Sequence, residues 1–339
     1  MRGTLVVQTA FLGDVVLTTP LLSALAERYG PVDVVTTPAA AALLEEHPAV
    51  SEVWRYDKRG ADAGLAALWR LGRRLRERRY ERVFLPHRSL RSTALALLAR
   101  ARERTGFADG AGAVTYTTRV PRRRTGHEVD RLLALAGVSP ERAPAVSLGL
   151  TTDDRAAAAE WTRERGIAAG FVAVAPGSIW GTKRWPWYAE LAAALDAQLV
   201  IVGSPDDAEL AARIVAAAPG RAWSAAGEVG LRAAAALIER AGVLVTNDSA
   251  PLHLATAVGT PIVAIFGPTV PEFGFGPRGA ADIVVQQAGL SCRPCSSHGP
   301  QVCPLGHHRC MVELTVERVA AAVAGISGVE ARRAIRTRN

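Results

Sequence analysis

Three stretches of the 339-residue chain place chemically able side chains just past an apolar run. The first is Thr9-Ala10-Phe11-Leu12-Gly13-Asp14, which follows Leu5-Val6-Val7. Gly13 permits a tight turn, and an aspartate at the carboxyl end of a strand can serve as a general base. A helix-capping aspartate would be written the same way. The second stretch is Pro176-Gly177-Ser178-Ile179-Trp180-Gly181-Thr182-Lys183-Arg184-Trp185-Pro186. It offers backbone N–H groups, two hydroxyls and a cation, which suits a diphosphate. It lacks the G-x-x-x-x-G-K-[ST] spacing of a Walker A loop, and a plain strand-to-helix turn with Trp185 packed inside is the competing reading. The third is Thr246-Asn247-Asp248-Ser249-Ala250-Pro251-Leu252-His253. Here Asp248 or Ser249 would cap a helix with Pro251 in its first turn. The free N–H groups and positive dipole end of that helix favour an anion, and His253 sits one turn in. Simple capping and a core histidine are the plain alternatives. Two such turns in one half of the chain favour a shared phosphate site.

A fourth constellation is Cys292-x₂-Cys295-x₇-Cys303-x₆-Cys310, with His298, His307 and His308 between. In a reduced compartment this spacing suggests a structural zinc ion held by the four thiolates, with free thiols and disulfides as the other options.

The elements that must position these groups alternate in type. Strands are expected at residues 5–7, 32–36, 52–55 and 82–85, with helices at 15–29, 38–46, 65–79 and up to 98. A polar, arginine-rich stretch at 119–124 and a helix at 126–136 follow. The alternation restarts after a helix at 155–165: strands at 171–175, 198–202, 243–246 and 261–266, helices at 187–195, 206–217, 231–240 and 250–257, and a last helix at 315–326. Strands alternating with helices indicate parallel sheets covered on both faces. The expected architecture is α/β, two Rossmann-like domains facing each other across a cleft, divided into residues 1–160 and 161–339. In such sheets ligands bind at the carboxyl ends of strands.

Composition sets the outer limits. Apolar residues make up 49% and charged residues 21%, so wholesale disorder is excluded. Only Lys58 and Lys183 of the 40 basic residues are lysine, and the formal net charge is +8, which favours anionic partners. The uncharged stretch at 249–271 is long enough to span a bilayer but is broken by Pro251, Gly259, Pro261, Gly267 and Pro268, so it reads as a helix followed by a buried strand. Asp14 interrupts the first apolar stretch and no small-residue cleavage site follows, so the chain reads as cytoplasmic, without a signal peptide. The absence of G-x-G-x-x-G argues against a dinucleotide enzyme. The arginines at 70–82, 88, 91 and 119–124 form either a solvated face or a surface for an anionic acceptor and the anionic inner leaflet. His87-Arg88-Ser89, just past a strand end, is the better candidate for acceptor contact.

Together FLGDVVLTTPLLSAL, PGSIWGTKRWP and TNDSAPLHLATAVGTPIVAIFGPT resemble, in order and spacing, the ADP-heptose:lipopolysaccharide heptosyltransferases of glycosyltransferase family 9, heptosyltransferase II type. The resemblance covers nearly the whole chain. It implies a GT-B fold, with acceptor on the N-terminal domain and ADP-heptose on the C-terminal one. It puts the catalytic aspartate at Asp14 and the phosphate-binding lysine at Lys183. Ser178, Thr182, Asp248, Ser249 and His253 fall in the nucleotide site, and Asp207 falls loosely on the ribose-binding acid. Ala250-Pro251 departs from the glycine and larger apolar residue of many members. The implied reaction is an inverting transfer to the lipopolysaccharide inner core, with no metal or other cofactor required for the chemistry and no nucleic-acid partner. The alternatives are the same fold with another nucleotide sugar or a non-lipid acceptor and, more remotely, a non-catalytic sugar-nucleotide-binding or nucleic-acid-binding protein.

Overall fold

The computed structural model describes residues 3–336. It divides into two compact units, residues 1–150 and 151–339, the last three residues lying outside those described.

The first unit runs β1 (Thr4–Val7), α1 (Leu12–Tyr29), β2 (Val32–Thr36), α2 (Pro38–Leu44), β3 (Val50–Arg55), α3 (Leu65–Glu77), β4 (Arg82–Leu85), α4 (Leu90–Leu98), β5 (Glu103–Phe107), β6 (Thr118–Val120) and α5 (Glu128–Leu133). The six strands lie in the order β3-β2-β1-β4-β5-β6, all parallel. β1 and β2 are mostly apolar and buried throughout, as strands covered on both faces must be, and the one buried acid, Asp33 of β2, accepts from the Tyr80 hydroxyl. Leu5, Val7, Val35, Val83 and Leu85 share a core with Leu71 and Leu75 of α3 and with Leu95 of α4.

The second unit runs α6 (Thr152–Glu164), β7 (Val172–Ala175), α7 (Tyr188–Ala194), β8 (Leu199–Ile201), α8 (Ala208–Ala217), β9 (Ala222–Ser224), α9 (Leu231–Arg240), β10 (Val243–Asn247), α10 (Ala250–Val258), β11 (Ile262–Phe266), β12 (Ile283–Gln286), α11 (Arg309–Val312) and α12 (Val316–Arg336). Its sheet order is β12-β11-β10-β7-β8-β9, again parallel. Counted from each unit's own first strand, both sheets follow the order 3-2-1-4-5-6 of a doubly wound fold. The strand order therefore reverses between β1 and β4 in one unit and between β7 and β10 in the other. Those two places are where a ligand crevice opens at the carboxyl ends.

Two expectations change. The division falls at residue 150 and not 160, because α6 belongs to the second unit. Thr151 caps it with a reciprocal Asp154 contact, and Asp154 and Arg155 pair with Arg232 and Glu239 of α9. Each sheet also has two more strands than expected. β6, β9 and β12 are edge strands of three or four residues, and β5 carries Glu103 and Arg104 in its first half. Short, partly polar strands near an edge carry no apolar run to read. The stretch at 249–271 is a helix and a buried strand as expected, and no helix among the described residues is long and apolar enough to cross a membrane.

Candidate active site

In the second unit, register sets the site. Ala175 at the end of β7 lies opposite Thr246 near the end of β10, so the chain leaves both strands at the same level. The loop after β7 is then tied to β10 by Asn247. Its amide Nδ2 donates to the Pro176 carbonyl at 2.8 Å, and its Oδ1 accepts from the Trp185 N–H at 3.2 Å and the Tyr188 hydroxyl at 3.1 Å. Trp185 is itself buried, and its indole N–H donates to the Leu314 carbonyl. With both ends of the loop held, Lys183 lies buried at the switch point, and its ammonium donates to Asp248 Oδ2 at 2.6 Å. The same oxygen accepts from the Thr269 hydroxyl at 2.6 Å. An ammonium has three donors, and Asp248 takes one of them.

Ser249 occupies the N-cap position of α10, with Pro251 in the first turn, but its hydroxyl makes no capping bond. That hydroxyl is buried without a hydrogen-bond partner. A buried orphan hydroxyl, a helix N-terminus and a lysine at a switch point together form a fitting receptor for a phosphate. His253 is buried one turn along α10, its ring 6.3 Å from that of Phe275. Ser178 is half-buried, and its Oγ accepts from the Trp180 N–H.

Two residues expected at the nucleotide have other work in the structure. The Thr182 hydroxyl donates to the Pro300 carbonyl, so it anchors the loop from behind. Asp207 accepts from the N–H and hydroxyl of Ser204 at 2.9 and 2.8 Å, capping the turn that leads into α8. A Cβ at Gly177 would come within 2.2 Å of its other oxygen, so a side chain there would have to displace the Asp207 carboxylate.

The four cysteines do not form the tetrahedral shell that their spacing suggests. All four are free thiols, and among the described residues no three His, Cys, Asp or Glu side chains are gathered where they could hold a metal ion. Burial pushes Cys310 up to about 11. What the segment does is brace the loop between β7 and α7. Gln301 accepts from the Gly181 N–H and donates to the Ile179 carbonyl, the His308 ring meets the Thr182 carbonyl at 2.8 Å, and Cys295 N–H donates to the Pro268 carbonyl. Arg293 fills the space beneath, its guanidinium bonded to the carbonyls of Gly267, Gln287 and Thr269.

In the first unit, Asp14 lies in the first turn of α1, half-buried, and its Oδ2 accepts from the Phe11 N–H at 3.2 Å. Burial raises its pKa to about 6, helped by the negative charge of Glu128 and opposed by the Phe11 bond and by Arg122. Glu128 is itself buried at the start of α5, which packs on α1. Arg122 grips it with two bonds, at 3.0 and 2.7 Å, and Arg131 adds a third at 3.1 Å. Across the switch point, at the end of β4, His87 has a buried Nδ1 with no partner. Burial, then Lys58 and Arg88, push its pKa down to about 4, so the ring is neutral. Lys58 donates to the Thr9 carbonyl, and Arg91 to the Lys58 carbonyl.

Sequence reading missed Asn247, Thr269, Lys58, Arg122 and Glu128 as parts of these sites. For Asn247 and Thr269 a signal existed: Asn247 is a polar residue ending a buried strand, and Thr269 lies three residues past the end of one. Arg122 and Glu128 carried none, since their role depends on α5 folding back onto α1.

The family model for glycosyltransferase family 9 (heptosyltransferase) matches residues 68–304. The chain belongs to glycosyltransferase family 9. As a glycosyltransferase of that family it is 30% identical to lipopolysaccharide heptosyltransferase 2 of Salmonella typhimurium over 79% of this chain and 84% of that one. It is similar in structure to the family 9 glycosyl transferase of Veillonella parvula, with a TM-score of 0.84, 25% identity and coverage of 96% and 97%. Similarity extends to Escherichia coli ADP-heptose lipopolysaccharide heptosyltransferase II, with a TM-score of 0.78, 26% identity and coverage of 97% and 100%. The fold is thus that of the GT-B heptosyltransferases.

Proposed function

We propose that this glycosyltransferase moves heptose from ADP-heptose to an inner-core sugar of lipopolysaccharide, with inversion at the anomeric carbon. The observation that carries the reading is the site at the second switch point, where Lys183, Asp248 and the orphan Ser249 hydroxyl surround a helix N-terminus. The names of the relatives supply the donor and acceptor class.

Asp14, with a pKa near neutrality, takes the proton of an acceptor hydroxyl. The freed oxygen attacks the anomeric carbon opposite ADP, the glycosidic C–O bond to ADP breaks, and its electron pair leaves with the diphosphate. Lys183 and the α10 N-terminus stabilise that growing charge. The neutral His87 imidazole and the Lys58 and Arg88 cations acting on it suit a polar, anionic acceptor. A lipid-borne acceptor also brings the enzyme to a membrane surface, as a peripheral protein.

The test is transfer by the purified protein with ADP-heptose against a panel of truncated lipopolysaccharide cores, the product linkage read by NMR. Inverted heptosyl product on an inner-core acceptor is the expected result. Transfer only from another nucleotide sugar, or only to a lipid-free glycan, would replace the substrate assignment.

A further inference from the structure

The outer face of α3 carries an unusual mixture. Leu65 is 83% exposed and Trp69 is 52% exposed. On a helical wheel they fall on the same side as Arg73 and Arg76, while Leu68, Leu71 and Leu75 point to the core. Arg73 stacks over the Trp69 ring at 4.9 Å, so aromatic and cation form one surface. The face continues onto α4. The helices meet so closely at Gly72 that a Cβ there would sit 2.5 Å from Leu98. Beside that contact Leu97 is exposed. Arg73, Arg76, Arg79, Arg100 and Arg102 line one broad depression of about 820 Å³, against only Glu77 and Glu81 of opposite charge.

Two of those arginines stand where glycine is the usual choice. Arg79 and Arg100 follow the ends of α3 and α4 with φ of 54° and 55°. Long side chains kept in the left-handed region at both helix ends, both opening on the same depression, place cationic groups there against local backbone preference.

From this juxtaposition we infer that the α3–α4 face of the first unit is a membrane-docking surface, which seats the enzyme on an anionic bilayer with Leu65 and Trp69 entering the headgroup boundary. The proposal rests on the lipid-borne acceptor of the preceding section and names the surface that would hold the enzyme at that acceptor's membrane. Charge complementarity selects the occupant: basic residues attract anionic headgroups, and an exposed tryptophan beside them favours the interface between headgroup and acyl chain. No phosphate-binding cleft is needed, because a polybasic face works through the surface potential of the leaflet.

The experiment is co-sedimentation of the full chain with vesicles, without donor or acceptor. One set is phosphatidylcholine alone; the other contains roughly one third phosphatidylglycerol, a density of charge sufficient for a strong surface potential. Binding to the anionic set, weakened by salt, is expected. Arg73→Gln and Arg76→Gln should each lower the partition coefficient about fivefold. Trp69→Ser should lower it while leaving the salt dependence unchanged. None of these variants should alter transfer to a lipid-free core oligosaccharide in solution, which keeps this test separate from the function assignment. If that soluble transfer fails in the unaltered enzyme, the substrate reading falls while the vesicle result still decides the surface. Equal binding to neutral vesicles, or anionic binding indifferent to all three substitutions, would overturn the proposal. So would a chain that dimerises through this face, with Trp69→Ser giving monomers and neither form binding vesicles.

Discussion

The ammonium of Lys183 and the carboxylate of Asp248 meet at 2.6 Å at the point where strand order reverses in the second sheet. Both groups are buried, so removing one side chain strands the other without its partner. A buried pair broken on one side costs about 3–5 kcal/mol, because an uncompensated charge is left behind. Lys183→Ala should therefore lose stability as well as ADP affinity, the latter by about 1.5–3 kcal/mol for a lost charge-assisted contact. The double variant Lys183→Met, Asp248→Asn removes both charges, so it should regain most of the melting temperature without regaining affinity. Calorimetry with ADP beside thermal unfolding separates the two effects. Unchanged ADP binding in the double variant would place Lys183 outside the nucleotide site.

Asp14→Asn should keep ADP binding and lose transfer by roughly 10²–10⁴-fold, the usual contribution of a general base. In the unaltered enzyme the rate should fall as pH drops through about 6, where Asp14 takes up its proton. The stability sign runs the other way. A carboxyl whose pKa is higher folded than unfolded contributes stability below its unfolded pKa and loses it as pH rises through about 6. At pH 7 the asparagine variant should thus be more stable, by on the order of 1 kcal/mol. A variant both inactive and less stable at pH 7 would show that Asp14 is held for structure.

The Glu128–Arg122 pair offers a two-sided check on that proton. Burial is the main reason the Asp14 pKa is high, Glu128 raises it further and Arg122 lowers it. Glu128→Gln removes the negative charge and leaves Arg122 without its partner, so the acid limb of the rate profile should move down by about one unit. Arg122→Gln removes the opposing cation, so the limb should move up. A merely damaged fold would move both variants the same way. Titration of carboxyl-labelled Asp14 by NMR reads the same shifts without substrate.

How much of this could be read from residue order follows from where each signal lives. The central strands declared themselves because a parallel strand buried on both faces tends to be an unbroken apolar run, as in Ile262–Phe266. The edge strands β6, β9 and β12 did not, since one open side relaxes the demand for apolar residues. Asp14, Lys183 and Asp248 stood out as candidates because each lies on the segment that leaves the carboxyl end of such a strand, where the crevice opens. Thr182 and Asp207 share that address and still have other partners, Pro300 and Ser204. Whether a loop residue turns toward the ligand or toward the neighbouring loop is decided by tertiary contact, here with residues 118 positions away for Thr182.

The last prediction concerns the cysteine segment. Its contacts through Gln301, Pro300 and His308 hold the Gly181–Lys183 turn from behind, so its integrity should matter to ADP affinity and not only to stability. Gln301→Ala removes two of those bonds, each worth about 1 kcal/mol, and should weaken ADP binding by around tenfold if the loop loosens. The thiols give a second readout. For Cys303, burial pushes upward but backbone N–H groups of His308, Leu305, Gly306 and His307 outweigh it and hold the thiol below its usual range. Burial carries Cys310 up to about 11. Since the thiolate is the reacting form, iodoacetamide at neutral pH should label Cys303 first and Cys310 last. ADP, by ordering the braced loop, should slow labelling of the segment. Mass spectrometry of a labelling time course gives the order. Early reaction at Cys310, or a rate indifferent to ADP together with full affinity in the Gln301 variant, would separate the segment from the nucleotide site.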